Sequence, residues 1–156
     1  VAWSLFESSV RTIVGQQVSV AAARGICSRL AAACAPSNEV ATFPDAASLA
    51  ALGDQHFPMP RRRRDTLRKL AKDYSGRDAS LDLASLADYS GVGPWTVSMV
   101  AMRGVGDPDV FPTGDLGLEK AWAAVTAPGE KPGNDRTCNW RPWRSYAANL
   151  LWRSLS

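Results

Sequence analysis

Apolar residues recur every three to four positions along most of the chain, which is the spacing of one face of an α-helix. Over residues 3–34 this pattern predicts two helices separated at Gly15, with Ser19 capping the second. Further helices are predicted over residues 43–52, 61–74, 80–87, 95–103, 115–125 and 142–155. No segment alternates as a half-buried strand would. The sequence therefore predicts an all-α fold.

The predicted helices are joined by Gly- and Pro-rich segments, of which 104–114 and 128–139 are predicted to be loops. A length of 156 residues, 46% of them hydrophobic, fits one domain with one sizeable core. No apolar run approaches the roughly 20 residues of a membrane span, so a cytoplasmic protein is expected. Because the chain begins at Val1 rather than Met, we expect residues 1–156 to be an excised core that lacks an upstream domain.

The charge and the cysteine content exclude few classes of function. Lys and Arg number 18 against 15 acidic residues, a net charge of +3 that permits a nucleic-acid partner without requiring one. The arginine run at 61–64 could contact phosphates or form a solvated first helical turn with one or two salt bridges. No two of Cys27, Cys34 and Cys138 have CxxC spacing, which indicates reduced structural thiols rather than a metal site.

A tight turn, Gly91-Val92-Gly93, lies between two predicted helices. Glycine adopts positive φ and has no side chain to block close approach, so the turn and the next helix start can point free N–H groups at a phosphate oxygen. Pro94 suits the first turn of the following helix. Taken alone, the same residues also fit an ordinary helix–helix connection.

Together with other segments, the turn resembles the helix-hairpin-helix DNA glycosylase superfamily, and most closely its 3-methyladenine DNA glycosylase II branch. That superfamily combines a hairpin, a Gly/Pro-rich loop and an aspartate. The matching segments, in chain order, are IVGQQVSV at 13–20, GVGPWT at 91–96, AMRG at 101–104, DVFP at 109–112 with Asp115, and WRSYA at 143–147 with Trp152. The resemblance implies two helical lobes with the active site in the cleft between them.

Asp115 matches the superfamily's catalytic aspartate. The resemblance implies that its carboxylate stabilises positive charge on the sugar as the bond to the base breaks, and can also orient the attacking water. Its position at a helix start also makes it an ordinary N-cap candidate. Asp107 and Asp109 lie in the preceding loop and are interpreted as turn or cap residues.

The resemblance also assigns the base pocket. Strand-nicking members carry a lysine just after the hairpin, and Trp95 takes that position here, which predicts a hydrolase without lyase activity. Trp95 and Trp152 match pocket residues that would stack on a flipped, cationic base. Met99 stands where a relative has tyrosine. Trp140, Trp143 and Tyr146 are interpreted as core or lobe-packing residues.

DNA contacts are expected from Gln17, Gly91, Val92, Gly93 and Thr96. Gln17 matches the residue that fills the gap left by the flipped base, although it could also be a solvent-exposed loop residue. No cofactor is expected to be required. The resemblance allows a Na⁺ or K⁺ ion at the hairpin, held by three backbone carbonyls, those of Ala87, Tyr89 and Val92.

These residues predict a monofunctional DNA glycosylase that hydrolyses the N-glycosidic bond of alkylated bases such as 3-methyladenine and 7-methylguanine. The expected partner is double-stranded DNA, bound by a monomer associated with the bacterial nucleoid, with no membrane. The alternative is a non-catalytic helix-hairpin-helix module that binds DNA or senses damage. A third outcome is a core that folds but is inactive without its upstream domain.

Overall fold

The computed structural model describes residues 4–35, 42–76, 82–126, 129–130 and 132–155, and every regular element in these ranges is helical. The helices are α1 (Leu5–Gly15), α2 (Val20–Cys34), α3 (Ala46–Ala51), α4 (Arg61–Ser75), α5 (Pro94–Val100), α6 (Leu116–Val125), α7 (Asn134–Thr137) and α8 (Arg144–Arg153). Short 3₁₀ turns lie at Asp54–His56, Ala84–Asp88 and Cys138–Trp140, and a π turn at Ala101–Val105 continues α5. The predicted all-α fold is confirmed.

The buried apolar side chains of the described residues form two separate clusters, which correspond to two lobes. The larger cluster is built from α1 to α5, with Val10, Leu30, Leu49, Leu70 and Val100 at most 1% exposed. Val10, Leu30 and Leu70 lie on the apolar faces that the three-to-four spacing predicts. Burying a side chain of this size contributes about 1.5–3 kcal/mol, so this cluster is the main hydrophobic core.

The second lobe is smaller and is centred on Phe111, Leu118 and Ala148. Met102 and Leu151 pack at its edge, and α6 lies against α8. The chain passes from the first lobe to the second through α5 and the π turn. The predicted two-lobed arrangement is confirmed.

Most long helices begin within three residues of the positions that the sequence predicts. Ser19 caps α2 by accepting a hydrogen bond from the Ala22 amide, and Asp45 caps α3 by accepting one from the Ser48 amide. The predicted helix over 80–87 is a 3₁₀ turn at Ala84–Asp88, and its first residues lie outside the described ranges. The prediction that 128–139 is a loop is wrong in part, because Asn134–Thr137 is helical and a 3₁₀ turn follows it.

Three aromatic residues on the last third of the chain were predicted to be buried in packing, and only one is. Trp140 packs against Phe111 and Trp122, with ring centroids 6.1 and 5.5 Å apart. Trp143 and Tyr146 are 59% and 60% exposed and contact each other, so the prediction for these two is wrong. Trp143 is the N-cap residue of α8 and Tyr146 lies in its first turn, and neither belongs to the second core. No described helix is long and apolar enough to cross a bilayer.

Candidate active site

Asp115 lies at the start of α6, at the junction of the two lobes. Its side-chain Oδ1 accepts a hydrogen bond from the Leu118 amide over 2.9 Å, so the residue is a true N-cap. This cap orients the carboxylate by the helix itself, and the free N–H groups of the first turn favour a negative charge there. The cap interpretation and the catalytic one are therefore compatible.

Two indole rings complete the surroundings of this carboxylate. Trp95 Nε1 donates to Asp115 Oδ2 over 3.0 Å, and Trp152 Nε1 donates to Asp115 Oδ1 over 2.9 Å. All three side chains are half-buried. An indole N–H can only donate, so each contact is one that a carboxylate accepts well. The structure thus brings together three of the residues that the sequence predicted to form the site.

The two carboxylate oxygens of Asp115 accept different numbers of hydrogen bonds. Oδ1 accepts from both Leu118 and Trp152, whereas Oδ2 accepts a hydrogen bond only from Trp95 among the described residues. Each carboxylate oxygen offers about two lone-pair positions. Oδ2 therefore keeps an acceptor position open for a water molecule or for developing positive charge.

Gly117 allows Trp152 to approach Asp115 this closely. A Cβ added at Gly117 would lie 3.1 Å from Asp115 Oδ1 and 3.1 Å from Trp152 Cδ1. Contacts in that range are tighter than ordinary van der Waals distances and would make the carboxylate or the indole shift. Gly117 was not predicted as a site residue, because a glycine in the first turn of a helix carries no local signal of the side chains that pack against it.

Arg103 is a second residue of the site that was not predicted. Its guanidinium carbon lies 5.7 Å from the centroid of the Trp152 ring, within the range of a cation–π contact. Burial lowers the pKa of Arg103, and the charge of Asp115 opposes that shift in part. An arginine remains protonated at neutral pH in any case. The site therefore contains a positive charge beside the Trp152–Asp115 pair.

Met99 is the one predicted pocket residue that is nearly inaccessible. It is only 5% exposed, so little of its side chain is accessible to a base. A groove of about 430 Å³ lies nearby, lined among others by Pro94, Ser98, Phe111 and Arg144. None of Trp95, Asp115 or Trp152 lines it, so this groove is distinct from the carboxylate site.

The hairpin presents unpaired backbone donors to solvent. Gly91 has a φ of 79°, the left-handed region that favours glycine, and both Gly91 and Gly93 are exposed. Among the described residues, the N–H groups of Gly91, Gly93, Trp95 and Thr96 find no acceptor. The side chains of Val92 and Thr96 are buried, so these two residues can offer only backbone atoms to a ligand.

Gln16, which was not predicted as a site residue, connects this hairpin to the turn between α1 and α2. Its Nε2 donates to the Gly91 carbonyl and to Thr96 Oγ1, both over 3.0 Å. The next residue, Gln17, is exposed and has a φ of 57°, which costs a non-glycine residue about 1–2 kcal/mol. The Gln16 contacts hold the turn in register with the hairpin while Gln17 projects from it.

Asp109 lies in a turn, as the sequence predicted, but its carboxylate makes a contact that was not predicted. Its carboxylate pairs with Arg144, with Nε to Oδ1 at 2.6 Å and Nη2 to Oδ2 at 3.1 Å, and more weakly with Arg141. The hydrogen bond from Arg144 lowers the pKa of Asp109. This pair fastens the loop before Asp115 to α8. Asp107 does form a turn, because its Oδ1 accepts from the Asp109 amide.

The predicted site for a Na⁺ or K⁺ ion consists of three backbone carbonyls at the hairpin. The Tyr89 carbonyl accepts a hydrogen bond from the Val92 amide over 3.0 Å. In the described part of the chain, no loop, turn or cap amide donates a hydrogen bond to the carbonyl of Ala87 or to that of Val92. Oxygen donors of this kind fit a hard cation. The described residues contain no group of three or more His, Cys, Asp or Glu that could hold a metal.

Known proteins share this sequence pattern. A family model described as "HhH-GPD superfamily base excision DNA repair protein" matches residues 10–143. A "Probable bifunctional transcriptional activator/DNA repair enzyme AlkA" from Mycobacterium tuberculosis is 37% identical over 96% of this chain and 33% of its own length. DNA-3-methyladenine glycosylase 2 from Escherichia coli is 31% identical over 94% of this chain and 56% of its own length. The chain thus spans a third to somewhat over half of these two relatives.

Solved structures with the same arrangement of helices include two 3-methyladenine DNA glycosylases. One is from Schizosaccharomyces pombe, in complex with abasic DNA, and matches with a TM-score of 0.75, 20% identity and coverage of 96% of this chain and 79% of that one. The other is from Archaeoglobus fulgidus, with a TM-score of 0.75, 20% identity and coverage of 96% and 57%. These likenesses establish the fold.

Proposed function

Because the chain belongs to the HhH-GPD superfamily of base excision DNA repair proteins, we propose that it is a monofunctional DNA glycosylase that removes alkylated bases from double-stranded DNA. The observation that carries the proposal is the placement of Asp115 at the lobe junction, with Trp95 and Trp152 both donating to its carboxylate. Relatives named as 3-methyladenine glycosylases support the choice of alkylated purines as substrates.

In the proposed reaction the bond between C1′ of the sugar and the base nitrogen breaks, and its electron pair goes to the base. An alkylated purine that carries positive charge leaves as a neutral base, so no general acid is required. The sugar becomes an oxocarbenium ion, which the Asp115 carboxylate stabilises electrostatically. A water molecule oriented at the open position on Oδ2 then adds to C1′ and gives up one proton to the Asp115 carboxylate.

The indole rings have two roles in this proposal. Their N–H groups fix the carboxylate, while their faces provide surfaces on which a flipped, cationic base can stack. Since Trp95 stands where a strand-nicking enzyme would carry lysine, no Schiff base can form at that position. Lys120 is exposed on α6 and is not among the donors to the Asp115 carboxylate.

DNA binding is proposed to use the turn at Gln17 and the hairpin together. The unpaired N–H groups of Gly91, Gly93 and Thr96 would contact phosphate. The Val92 amide donates to the Tyr89 carbonyl, so Val92 would contribute by shaping the turn that presents these donors. Gln17, in its strained conformation at the tip of the turn, would occupy the space left by the flipped base. A Na⁺ or K⁺ ion held by the carbonyls of Ala87, Tyr89 and Val92 would add positive charge beside the phosphate.

Incubation of this chain with methylated duplex DNA, followed by chromatography of released bases, tests the proposal. Release of 3-methyladenine or 7-methylguanine is expected, with no covalent adduct trapped by borohydride. DNA binding without base release would instead favour the non-catalytic damage-sensing alternative. A trapped adduct would contradict the monofunctional mechanism, because it requires an amine nucleophile at the sugar.

A further inference from the structure

The four arginines at 61–64 differ in the partners they have in the first turn of α4. Arg61 pairs with Asp65 at 3.6 Å, and Arg64 pairs with Asp54 at 3.0 Å. Arg63 is half-buried. Arg62 is exposed and has no carboxylate partner among the described residues. Its Nε donates instead to the hydroxyl of Ser90, over 3.2 Å.

That contact places Arg62 at the hairpin. Thr66, one helical turn further along α4, is buried and donates its hydroxyl to the Ser90 carbonyl over 2.6 Å. Arg62 therefore binds the side chain of Ser90, and Thr66 binds its main chain. The Arg62 Nε would also lie only 3.8 Å from a Cβ at Gly91, so the guanidinium is beside the turn.

The guanidinium still has most of its hydrogen-bonding capacity. It carries five N–H donors, and in the described part of the chain only the one on Nε is engaged. The N–H groups of Gly91 and Gly93 next to it likewise lack an acceptor. A planar guanidinium beside unpaired amide donors suits the oxygens of a phosphodiester, which accept several hydrogen bonds at once.

We propose that Arg62 binds the DNA backbone at the hairpin, as a side-chain extension of the site formed by the Gly91 and Gly93 amides. This inference rests on the proposed DNA-binding function and adds a residue to it. It also divides the arginine run: Arg62 contacts phosphate, whereas Arg61 and Arg64 are compensated by Asp65 and Asp54. The geometry favours one phosphate contact from this turn rather than four.

Two matched variants test the proposal, Arg62→Gln and Arg61→Gln. Both remove one exposed positive charge from the first turn of α4. Binding to a short duplex with a tetrahydrofuran abasic-site analogue would be measured by fluorescence anisotropy at increasing KCl. Losing one phosphate contact on B-DNA lowers the slope of log affinity against log salt by about 0.9. We expect that loss in Arg62→Gln, together with weaker binding, and an unchanged slope in Arg61→Gln.

Arg62→Lys and Ser90→Ala refine the result. Lysine keeps the charge without the planar fork, so the slope should be retained while affinity falls. Ser90→Ala releases the guanidinium without removing its charge and should also weaken binding with little change of slope. Thermal unfolding of each variant would verify that the fold is intact.

Two outcomes would overturn the inference: an unchanged slope in Arg62→Gln, or equal losses in Arg62→Gln and Arg61→Gln, which indicate a diffuse charge effect. In both cases the wild-type chain still binds DNA, so the proposed function survives. Failure of the wild-type chain to bind the duplex at all would contradict the proposed function as well.

Discussion

The indole Nε1 of Trp95 donates a 3.0 Å hydrogen bond to Oδ2 of Asp115, the carboxylate oxygen that has an open acceptor position. In strand-nicking members of the superfamily, the matching position holds a nucleophilic lysine. In the proposed mechanism, Trp95 at this position orients the carboxylate and does not attack the sugar. The hydrogen bond joins the hairpin helix α5 of the first lobe to the start of α6 in the second, so the site depends on the packing of the two lobes.

Replacing Trp95 with Phe tests the importance of that bond. The ring face is kept and the donor is lost, and a hydrogen bond to a charged group is worth about 1.5–3 kcal/mol. We expect the single-turnover rate of base release to fall about tenfold or more, because about 1.4 kcal/mol corresponds to a factor of ten. A rate equal to or above that of the wild type would show that Trp95 does not orient Asp115.

Gly117→Ala tests the close packing of Trp152 on Asp115. The added methyl would lie 3.1 Å from atoms of both residues and should displace one of them. Base release should slow severalfold while the melting temperature stays near that of wild type, since alanine is the better helix former. Gly25→Ala is the control, because a Cβ there meets nothing within 4 Å. Equal activity in the two variants would contradict the packing argument.

Gln16→Ala would separate the α1–α2 turn from the hairpin. Both hydrogen bonds from Gln16 Nε2 are lost, which frees the Gly91 carbonyl and Thr96 Oγ1. We expect weaker binding to an abasic-site duplex and slower base flipping, measured by the fluorescence of 2-aminopurine beside the lesion. Gln17→Ala, by comparison, should slow flipping with a smaller effect on hairpin binding. Identical behaviour of the two variants would contradict separate roles for these residues.

The Asp109–Arg144 pair should make stability depend on acid pH. The hydrogen bond from Arg144 lowers the pKa of Asp109 in the folded chain. A carboxyl whose folded pKa is lowered contributes stability above its unfolded pKa of about 3.9, and that contribution disappears as pH falls through the folded value. Asp109→Asn should therefore reduce the free energy of unfolding at pH near 7, with the difference narrowing in acid. Urea denaturation across this range measures it; a difference independent of pH would contradict the assignment.

Local patterns in the sequence predicted most of the long helices and the Ser19 cap, but not the short helix α7 or the Asp45 cap. The Ser19 and Asp45 caps depend on neighbours three residues away, which a sequence displays directly. Burial was harder to predict: Trp143, the N-cap of α8, and Tyr146, in its first turn, are exposed because the small second core takes up only part of this helix. Aromatic character alone does not say which face a residue occupies.

The candidate site depended on contacts between distant parts of the chain. Trp152 and Asp115 are 37 positions apart, and only the resemblance to a family connected them. The Gln16–Gly91 bond spans 75 positions and the Arg62–Ser90 bond spans 28, and neither has a local signature. The ion pair of Asp109 was not predicted for the same reason, since its partner Arg144 lies 35 residues away.

Asp115→Asn tests the central claim most directly. Asparagine can still cap α6 and accept from Trp152 through its amide oxygen, but it removes the negative charge and turns an amide N–H₂ group towards Trp95. The measurement is the single-turnover release of 3-methyladenine from methylated duplex DNA, with abasic-site binding and thermal unfolding as controls for a folded, DNA-binding variant. We predict that release is lost while binding is retained. Release at the wild-type rate would contradict the account of Asp115 as the stabilising carboxylate.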